Sequence, residues 1–369
     1  MLRAVKILHF HPDGRMAAQF IEPLIAAERS AGHDSLFVAA RRPWERSQQI
    51  AYDISPNSLF GLPLALFRIF RLIKNFRPDV IVSHNTKSSP LPLLAARIMR
   101  VGARVYFNHG VPYVGYNGLA RWGLRLFEHW NCRMATDVLA VSPDMCDLLR
   151  DVDPNVRPAL ISSGSACGLD LNVYSAGQFR DRAWRKKNHF NDEDVIVAFV
   201  GRPEKRKGFV HALHLWRDYL KEPRCKLVLC GAQVDDVLKF LPELPADVVC
   251  LGFVNNVPEV LSNIDMLILP SLHEGLSYAT LEAMACGAIV LANDIPGIRC
   301  LVQNGVNGYL VQENSLEKYA ELITAIANGE KGGEGVRLQA RRKAEEFSRE
   351  LFLPAYLAFL DGLPVKNSS

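Results

Sequence analysis

The sequence has 369 residues, which is long for one domain and sufficient for two, each with its own core. Hydrophobic residues make up 49% of the chain and charged residues 22%, the proportions of a soluble globular protein rather than of a disordered or membrane-spanning one. The formal net charge is only +4, so the total charge does not indicate a nucleic-acid partner, and we expect none.

The first half of the chain alternates between short apolar runs and helical patterns. Helical stretches, the first at residues 16–29, separate six predicted strands, which lie at residues 5–11, 36–39, 80–84, 104–109, 138–142 and 159–162. Strands joined through helices pair in parallel. We therefore expect residues 1–170 to form a Rossmann-like, doubly wound α/β domain.

Residues 171–193 are polar and aperiodic, which predicts a linker, and the alternation then begins again. The second series of predicted strands lies at residues 195–201, 226–231, 248–253, 266–269, 288–292 and 308–311. We expect a second Rossmann-like domain over residues 194–344, then a helical segment, 345–369, that returns to the first domain. Two such sheets with their carboxyl ends facing a central cleft place the ligand between the domains.

The cysteines and the N-terminus indicate the compartment. Most of the eight cysteines lie in apolar segments, as Cys230, Cys250 and Cys286 do, without a CxxC pair or a histidine at metal-ligand spacing. This pattern is typical of buried thiols in a reducing compartment and indicates no metal site. The first apolar run is too short for a signal peptide, and no uncharged window has the length of a transmembrane helix. The sequence therefore predicts a cytoplasmic protein.

The most informative stretch is residues 270–287, which combines a strand end, a glycine-containing loop and a helix start. Gly275 allows the turn, and Ser277 can cap a helix whose first N–H groups suit an anion. Two carboxylates, Glu274 and Glu282, lie two helical turns apart along one side. A carboxylate accepts hydrogen bonds from a vicinal diol. Phosphate and diols together indicate a nucleotide sugar.

A second candidate anion site is the basic loop of residues 201–208, between a predicted strand and a helix. Arg202 can contact a diphosphate as a planar fork and Lys207 as a point charge. Taken alone, such a loop is more often a solvated basic surface. The stretch at 270–287, in the same predicted domain, favours the diphosphate.

These residues carry a family resemblance. The matching features are Gly201-Arg202, Lys207-Gly208, Gly252-Phe253-Val254, and Glu274 with Glu282 as an E-x7-E motif. Together they resemble the retaining GT4 family of glycosyltransferases, which have the GT-B fold of two Rossmann-like domains. Residues 164–170 also look like the inter-domain Gly-Val-Asp segment of that family. The resemblance covers nearly the whole chain and implies a retaining, metal-independent hexosyltransferase of lipopolysaccharide, capsule or other surface-polysaccharide synthesis.

The resemblance also implies a role for each matching residue. Arg202 and Lys207 would hold the donor diphosphate and stabilise charge on the departing nucleotide. Glu282 would bind the ribose, and Glu274 would contact the donor sugar. Further contacts to the nucleotide sugar are implied for two loops, at Val254, Asn255, Gly275, Leu276 and Ser277.

A histidine in the first domain completes the implied site. His109 ends a predicted strand and matches the active-site histidine that reaches the donor sugar in the family. His84 also ends a strand and is the alternative, while a core or capping role is open for either. His273 is interpreted as a loop residue, because the second histidine of a zinc motif is missing.

The sequence departs from the family pattern at two positions. The loop of residues 11–15 has one glycine, Gly14, where many members have a Gly-Gly pair, so a close wrap of this loop over donor or acceptor is less strongly predicted. Gly14 is kept as a candidate donor contact. Cys300 stands where the family often has an acidic residue. Neither departure implies a loss of activity.

Two basic segments bear on the acceptor. Residues 62–77 form an amphipathic pattern, for which a core-facing helix with a solvated cationic side is slightly favoured. Residues 119–134 contain Trp122 and Trp130 among arginines, as interfacial helices do. We expect peripheral contact with an anionic membrane, on the inner face of the cytoplasmic membrane, and a glycan or lipid-linked acceptor.

The expected co-substrate is a UDP- or GDP-linked sugar, with no further cofactor. Two other functions are considered. A nucleotide-sugar epimerase can use the same two-domain fold, although the E-x7-E loop with Arg202 and Lys207 argues against it. A non-catalytic nucleotide-sugar-binding regulator would bind the ligand without transferring the sugar.

Overall fold

The computed structural model describes residues 4–14, 19–41, 48–50, 61–175, 181–312 and 315–364. The chain forms two compact units. The first comprises the chain up to Gly168 and again from Arg349 onwards, and the second is Leu169–Ser348. Within the described residues each unit has one six-stranded sheet, and every strand pair is parallel. The predicted architecture of two doubly wound α/β domains is confirmed.

The strands of the first unit are β1 (Lys6–Asp13), β2 (Asp34–Arg41), β3 (Gln48–Gln49), β4 (Val80–His84), β5 (Ala103–Asn108) and β6 (Asp137–Ala140). The helices that follow them in the chain are α1 (Glu22–Ser30), α2 (Leu62–Phe76), α3 (Pro90–Ile98), α4 (Gly118–Met134) and α5 (Pro143–Val152). The sheet order is β3-β2-β1-β4-β5-β6. The direction of winding reverses between β1 and β4, and ligands of such sheets bind at the carboxyl ends of strands at this point.

One predicted strand of this unit is wrong. Residues 159–162 contribute a single parallel bridge, between Ala159 and Leu139, and the chain then turns at Ser162 with a φ of 51°. The sixth strand is β3, which has two residues and therefore no periodicity that a sequence could reveal. Part of the helix predicted at 16–29 falls on residues 15–18, which lie outside the described residues; α1 begins at Glu22.

The strands of the second unit are β7 (Val195–Val200), β8 (Cys225–Cys230), β9 (Val248–Gly252), β10 (Met266–Leu269), β11 (Ile289–Asn293) and β12 (Tyr309–Val311). Its helices are α6 (Arg182–Lys187), α7 (Phe209–His214), α8 (Val234–Leu238), α9 (Val257–Leu261), α10 (Tyr278–Cys286), α11 (Leu316–Ala327) and α12 (Glu334–Glu345). The order β9-β8-β7-β10-β11-β12 repeats that of the first sheet, with the reversal between β7 and β10. Burial on both faces explains the uninterrupted apolar runs: all four residues of β10 are fully buried.

The segment predicted as a linker, residues 171–193, contains α6. The carboxylate of Asp181 caps this helix, and Trp184 and Arg185 are buried. The guanidinium of Arg185 donates to the carbonyl oxygen of Asn191 at 2.7 Å, which satisfies part of its hydrogen-bonding capacity. The helix is short, and one of its buried residues is an arginine, so the apolar periodicity that reveals longer helices is missing.

The last helix, α13 (Arg349–Asp361), belongs to the first unit. It packs there through Phe352, Tyr356 and Leu360, which are buried. The hydroxyl of Tyr356 donates to Glu28 on α1 at 2.8 Å. The end of the chain thus completes the unit in which it began.

Candidate active site

Two loops of the second unit meet at the carboxyl ends of β7 and β10, the neighbouring strands at which the sheet reverses. The basic loop is residues 201–208, and the acidic loop is residues 270–277. The backbone N–H of Leu272 donates to the carbonyl of Arg206 at 2.9 Å, and the Arg206 guanidinium donates to the carbonyl of His273 at 3.1 Å. The fold therefore joins two loops that the sequence marks separately.

The centre of this contact is an ion pair between Lys207 and Glu274. The ammonium of Lys207 donates to Oε1 of Glu274 at 2.7 Å and to Oε2 at 3.0 Å. Glu274 is 5% exposed and the Lys207 side chain 21% exposed. The cation offsets the cost of keeping a carboxylate so far from water. The pair presents a positive and a negative group side by side, which suits a ligand that carries both phosphate and hydroxyls.

Two glycines outside the acidic loop permit other backbone segments to approach it closely. Gly208 has a φ of 75° and Gly297 a φ of 79°. A Cβ atom at Gly208 would lie 1.9 Å from the carbonyl oxygen of Pro270, and one at Gly297 would lie 2.6 Å from that of Gly275. Only glycine fits such a backbone at such a distance. Gly208 therefore sets the spacing between the basic and acidic loops, and Gly297 sets the spacing between the acidic loop and the turn after β11.

Helix α10 begins directly after the acidic loop. Its N-cap is Ser277, whose hydroxyl accepts from the N–H of Thr280 at 3.3 Å, and its end is marked by Gly287 with a φ of 82°. The predicted cap and stop are both confirmed. Gly275 is partly buried and Leu276 is buried, so the helix begins in a buried part of the contact between the two loops. Its first N–H groups and the positive end of the helix dipole favour an anion.

Glu282 lies inside α10, two turns from the cap, and is buried. Burial raises the pKa of its carboxyl group to about 7, although a hydrogen bond from Tyr174 and the charge of Lys207 act to lower it. Tyr174 was not predicted from the sequence. It lies near the start of the second unit. A single tyrosine in an aperiodic segment has no pattern by which it could be recognised.

The fold does not bring every predicted residue to this pair. The side chain of Arg202 is 71% exposed and pairs with Glu204 at 2.8 Å. Val254 is half-buried and Asn255 exposed, and both follow β9, which β8 separates from β7. His273 is a buried loop residue whose pKa is lowered by burial and by the charge of Arg206.

In the first unit, three histidines lie on neighbouring strands: His9 inside β1, His84 at the end of β4 and His109 directly after β5. Nδ1 of His84 is 2.8 Å from Nε2 of His109, and Nε2 of His84 is 3.2 Å from Nδ1 of His9. His84 is fully buried, whereas His109 is half-buried. Burial lowers the pKa of His109 to about 3 and that of His84 well below its usual value. Of the two predicted alternatives, His109 is the one with exposed surface.

The histidine row continues to a buried carboxylate. Nε2 of His9 lies 3.0 Å from Oε1 of Glu28, which also accepts hydrogen bonds from Ser35 at 2.6 Å and Tyr356 at 2.8 Å. Burial acts to raise the pKa of Glu28, but the attraction of His9 and these hydrogen bonds outweigh it and lower the pKa. Neither His9 nor Glu28 was predicted from the sequence. The sequence contained one signal for His9, a histidine within an apolar strand, because strands in a protein core seldom contain histidine.

Gly14, predicted as a donor contact, lies in the first unit with His109. It directly follows β1 and is buried. Beside it, Nδ1 of His11 donates to the carbonyl oxygen of Asp13 at 2.9 Å, and the His11 ring lies 6.1 Å from that of His109. Burial lowers the pKa of His11 to about 4.

A second buried carboxylate fixes the backbone around His109. Glu128 on α4 accepts hydrogen bonds from the hydroxyls of Thr86 and Tyr106 and from the amide of Asn108, which directly precedes His109. Burial raises the pKa of Glu128 to about 7. The network ties the ends of β4 and β5 to the helix that covers them.

Among the described residues, no group of three or more histidine, cysteine, aspartate or glutamate side chains is placed to hold a metal ion. No helix in the same part of the chain is both long and apolar enough to cross a membrane. All eight cysteines are free thiols, and six of them are buried.

Comparison with known proteins places both units in glycosyltransferase families. Residues 180–348 match the model of glycosyl transferases group 1, and residues 17–164 match the glycosyl transferase 4-like domain. An N,N'-diacetylbacillosaminyl-diphospho-undecaprenol alpha-1,3-N-acetylgalactosaminyltransferase from Campylobacter jejuni is 24% identical over 333 residues, which cover 86% of each chain. A UDP-Gal:alpha-D-GlcNAc-diphosphoundecaprenol alpha-1,3-galactosyltransferase from Escherichia coli is 23% identical over 72% of this chain and 70% of its own.

Among solved structures, Anabaena HepE in complex with UDP and glucose has a TM-score of 0.81 to this chain at 20% sequence identity, covering 97% of this chain and all of HepE. This likeness supports the GT-B fold, and the comparisons give no support to the epimerase alternative. Taken together, the two family matches span most of the chain, and the protein belongs to the GT4-like glycosyltransferases.

Proposed function

We propose that this glycosyltransferase moves a hexosyl group from a UDP-sugar to a glycan or lipid-linked acceptor in surface-polysaccharide synthesis. The observation that carries the proposal is the Lys207–Glu274 pair beside the start of α10, where a cation and a carboxylate lie together at the positive end of a helix dipole. The Escherichia coli relative is named for UDP-Gal, and HepE is in complex with UDP and glucose; both support a uridine nucleotide. A GDP-sugar is the alternative that a donor panel tests.

In this proposal the second unit binds the donor. Lys207, Arg202 and the N–H groups of residues 275–277 contact the diphosphate, for which Arg202 leaves its exposed pairing with Glu204. Negative charge grows on the diphosphate as the sugar–phosphate bond breaks, and positive groups held in place lower that barrier. Glu274 accepts hydrogen bonds from sugar hydroxyls and Glu282 from the ribose diol. Val254 and Asn255 lie along the base.

His109 and Gly14, in the first unit, are proposed to act on the sugar and the donor phosphates. For His109 the support is its half-exposed ring at a strand end, held from behind by His84. For Gly14 it is a buried backbone directly after β1, where the first sheet reverses its winding.

We also propose that transfer retains the anomeric configuration and requires no divalent metal ion. The bond between the anomeric carbon and the phosphate oxygen breaks, the bond to the acceptor oxygen forms on the same face, and the acceptor proton passes to the leaving phosphate. NMR of the product gives the anomeric configuration, and assays with EDTA test the metal requirement. An inverted product, or EDTA inhibition reversed by Mg²⁺, would contradict the respective proposal.

The donor site is tested with Lys207→Met and Glu274→Gln. Each is expected to lower transfer by about 10²-fold or more, the usual effect of removing one group that stabilises a transition state. Lys239→Met is a matched control, because Lys239 also forms a 2.7 Å ion pair, with Asp236, but on an exposed surface. The assay uses UDP- and GDP-sugars with an undecaprenyl-diphosphate-linked N-acetylhexosamine as acceptor. Unchanged transfer by Lys207→Met would refute the site.

We further propose that α4 rests on an anionic membrane. Leu119, Trp122, Leu126 and Trp130 are spaced by three, four and four residues, so they lie on one helix face, and all four are exposed. Exposed tryptophans beside arginines are typical of helices at the membrane interface. Co-sedimentation with phosphatidylglycerol vesicles should weaken in a Trp122→Ser, Trp130→Ser variant. Phe253→Ser removes an 86% exposed aromatic of the second unit and should not matter; equal loss in both variants would contradict the assignment.

A further inference from the structure

Three imidazole rings and one carboxylate form a continuous row in the first unit, and the strand register explains how. His9 pairs in register with Val82, and His84 stands two residues beyond Val82 on the same strand. His84 pairs in turn with Phe107, and His109 stands two residues beyond Phe107. A step of two residues keeps a side chain on the same face of a sheet. The three rings therefore follow a diagonal across one face of β1, β4 and β5.

The carboxylate at one end gives this row a direction. Glu28 can only accept, so the hydrogen of its bond with His9 belongs to Nε2 of His9. The other nitrogen of neutral His9 then accepts from Nε2 of His84, at 3.2 Å, and the other nitrogen of His84 accepts from Nε2 of His109, at 2.8 Å. The rings of His9 and His84 are within 19° of parallel, which keeps their N–H bond near the plane of both rings. Nδ1 of His109 is left as an acceptor.

The same row has one other consistent state. When a proton from solvent forms an N–H bond at Nδ1 of His109, the Nε2–H bond of His109 breaks and its hydrogen moves to Nδ1 of His84. The Nε2 hydrogen of His84 then moves to Nδ1 of His9. One proton has entered, His109 and His84 have each passed one hydrogen on, and the positive charge is on His9, which keeps both of its hydrogens. Nδ1 of His109 has changed from an acceptor to a donor.

The surroundings favour His9 as the place where that charge rests, because it is the one ring of the three that contacts a carboxylate. Glu28 keeps its negative charge with hydrogen bonds from Ser35 and Tyr356. The other end of the row faces His11, with Asp13 behind it, and the phenyl rings of Phe20 and Phe107. Burial opposes a charge on His84 and His109, and it lowers the pKa of both.

We propose that Glu28, His9, His84 and His109 form a proton relay that couples the charge on His9 to the hydrogen-bonding state of Nδ1 of His109. In the neutral state His109 accepts a hydrogen bond from a ligand hydroxyl, and in the charged state it donates one. Glu28, His9 and His84 are positioning residues in this scheme. The relay follows from the geometry of the first unit; its use in sugar transfer rests on the function proposed above.

The test is the tautomeric state of the histidines in the full chain, read from long-range ¹⁵N–¹H correlations of ¹⁵N-histidine-labelled protein. His109→Asn identifies the signals of His109 by their loss. At neutral pH, we expect Nε2–H on all three rings. On acidification, His9 should gain its second hydrogen at the same pH midpoint at which His84 and His109 change to Nδ1–H. A neutral His9 together with Nδ1–H on His109, or a charged His9 together with Nε2–H on His109, overturns the relay.

Two variants and one control sharpen the result. His84→Phe keeps the ring volume and interrupts the row, so the titration of His9 should no longer change the tautomer of His109. Glu28→Gln removes the negative charge but keeps an acceptor for His9, so the coupled change should move to lower pH. His11→Asn removes a buried histidine ring 5.8 Å from that of His84 but outside the row, and the coupling should persist. Should His84→Phe fail to fold, the wild-type and Glu28→Gln spectra still decide.

Activity separates the relay from the proposed function. If His109 takes part in transfer, His84→Phe should lower kcat on the order of tenfold with little change in KM, as expected when one buried hydrogen-bond partner is removed. Its pH–rate profile should also lose any limb that coincides with the coupled tautomer change of the wild type. Coupled tautomers together with full activity of His109→Asn would uphold the relay and refute the proposed role of His109.

Discussion

Binding of UDP is expected to weaken as the pH falls through about 7, because Glu282 then loses its charge. The proposal assigns this carboxylate to the ribose diol, from which it accepts two hydrogen bonds only when it is ionised. Burial in α10 raises its pKa to about 7. Binding of the ribose diol by Glu282 should therefore weaken from pH 8 to pH 6, a range in which an exposed glutamate would stay charged.

The size of the effect follows from the pKa. With a pKa of about 7, roughly nine-tenths of the Glu282 carboxyls are ionised at pH 8 and roughly one-tenth at pH 6. If the ionised form alone binds the diol well, the dissociation constant of UDP rises by about tenfold between these values, equivalent to about 1.4 kcal/mol.

Isothermal titration calorimetry with UDP at pH 6, 7 and 8 measures the effect, with Glu282→Gln beside the wild type. The ionisation of UDP itself is common to both proteins, so the ratio of their pH dependences isolates Glu282. Glu128→Gln is the matched control: it also removes a buried carboxylate with a pKa of about 7, but from the first unit. The reasoning is refuted if Glu282→Gln keeps the full pH dependence or if Glu128→Gln removes it.

The same ionisation has a consequence for folding, and its sign can be worked out. A folded pKa of about 7, above the ordinary 4.5, means that the folded state binds the proton more tightly than the unfolded state. The carboxyl then favours folding at low pH, and this contribution is lost as the pH rises through about 7. The difference of about 2.5 pKa units corresponds to at most about 3 kcal/mol. Urea unfolding should show that Glu282→Gln gains stability relative to the wild type at pH 8 but not at pH 5.

Three further predictions concern the neighbouring residues. Lys207→Met leaves Glu274 buried without its cation and should lower the free energy of unfolding in urea by about 2–3 kcal/mol; a loss below about 0.5 kcal/mol, as expected for a surface pair, would contradict a buried pairing. Gly208→Ala should lower the melting temperature more than Gly305→Ala, because the φ values are alike, 75° and 77°, but only the first Cβ meets a carbonyl oxygen, at 1.9 Å. Tyr174→Phe removes a hydrogen bond that lowers the pKa of Glu282, so the pH midpoint of UDP binding should move upward in calorimetry.

The basic and acidic loops were predictable as individual loops because their information is local. A glycine at the turn, a serine at the helix start and a glycine at its end each have a conformational reason that a sequence shows directly, and Ser277 and Gly287 are found in those roles. The meeting of the loops was predictable only in outline. That Lys207 rather than Arg202 reaches Glu274 depends on the turn at residues 205–207 and on Gly208, and an equally basic residue five positions earlier has no local feature that excludes it.

The histidine row shows what a sequence lacks even when every strand is recognised. His84 and His109 were recognised at strand ends and considered as rivals for one role, whereas His9, inside the first strand, was not singled out. Their contact depends on the order β1-β4-β5 and on a register in which each histidine stands two residues beyond the partner of the one before. A shift of β4 by one residue would send His84 to the opposite face of the sheet and separate the other two rings. The register therefore brings the two alternatives, His84 and His109, into contact. They differ in which ring has exposed surface.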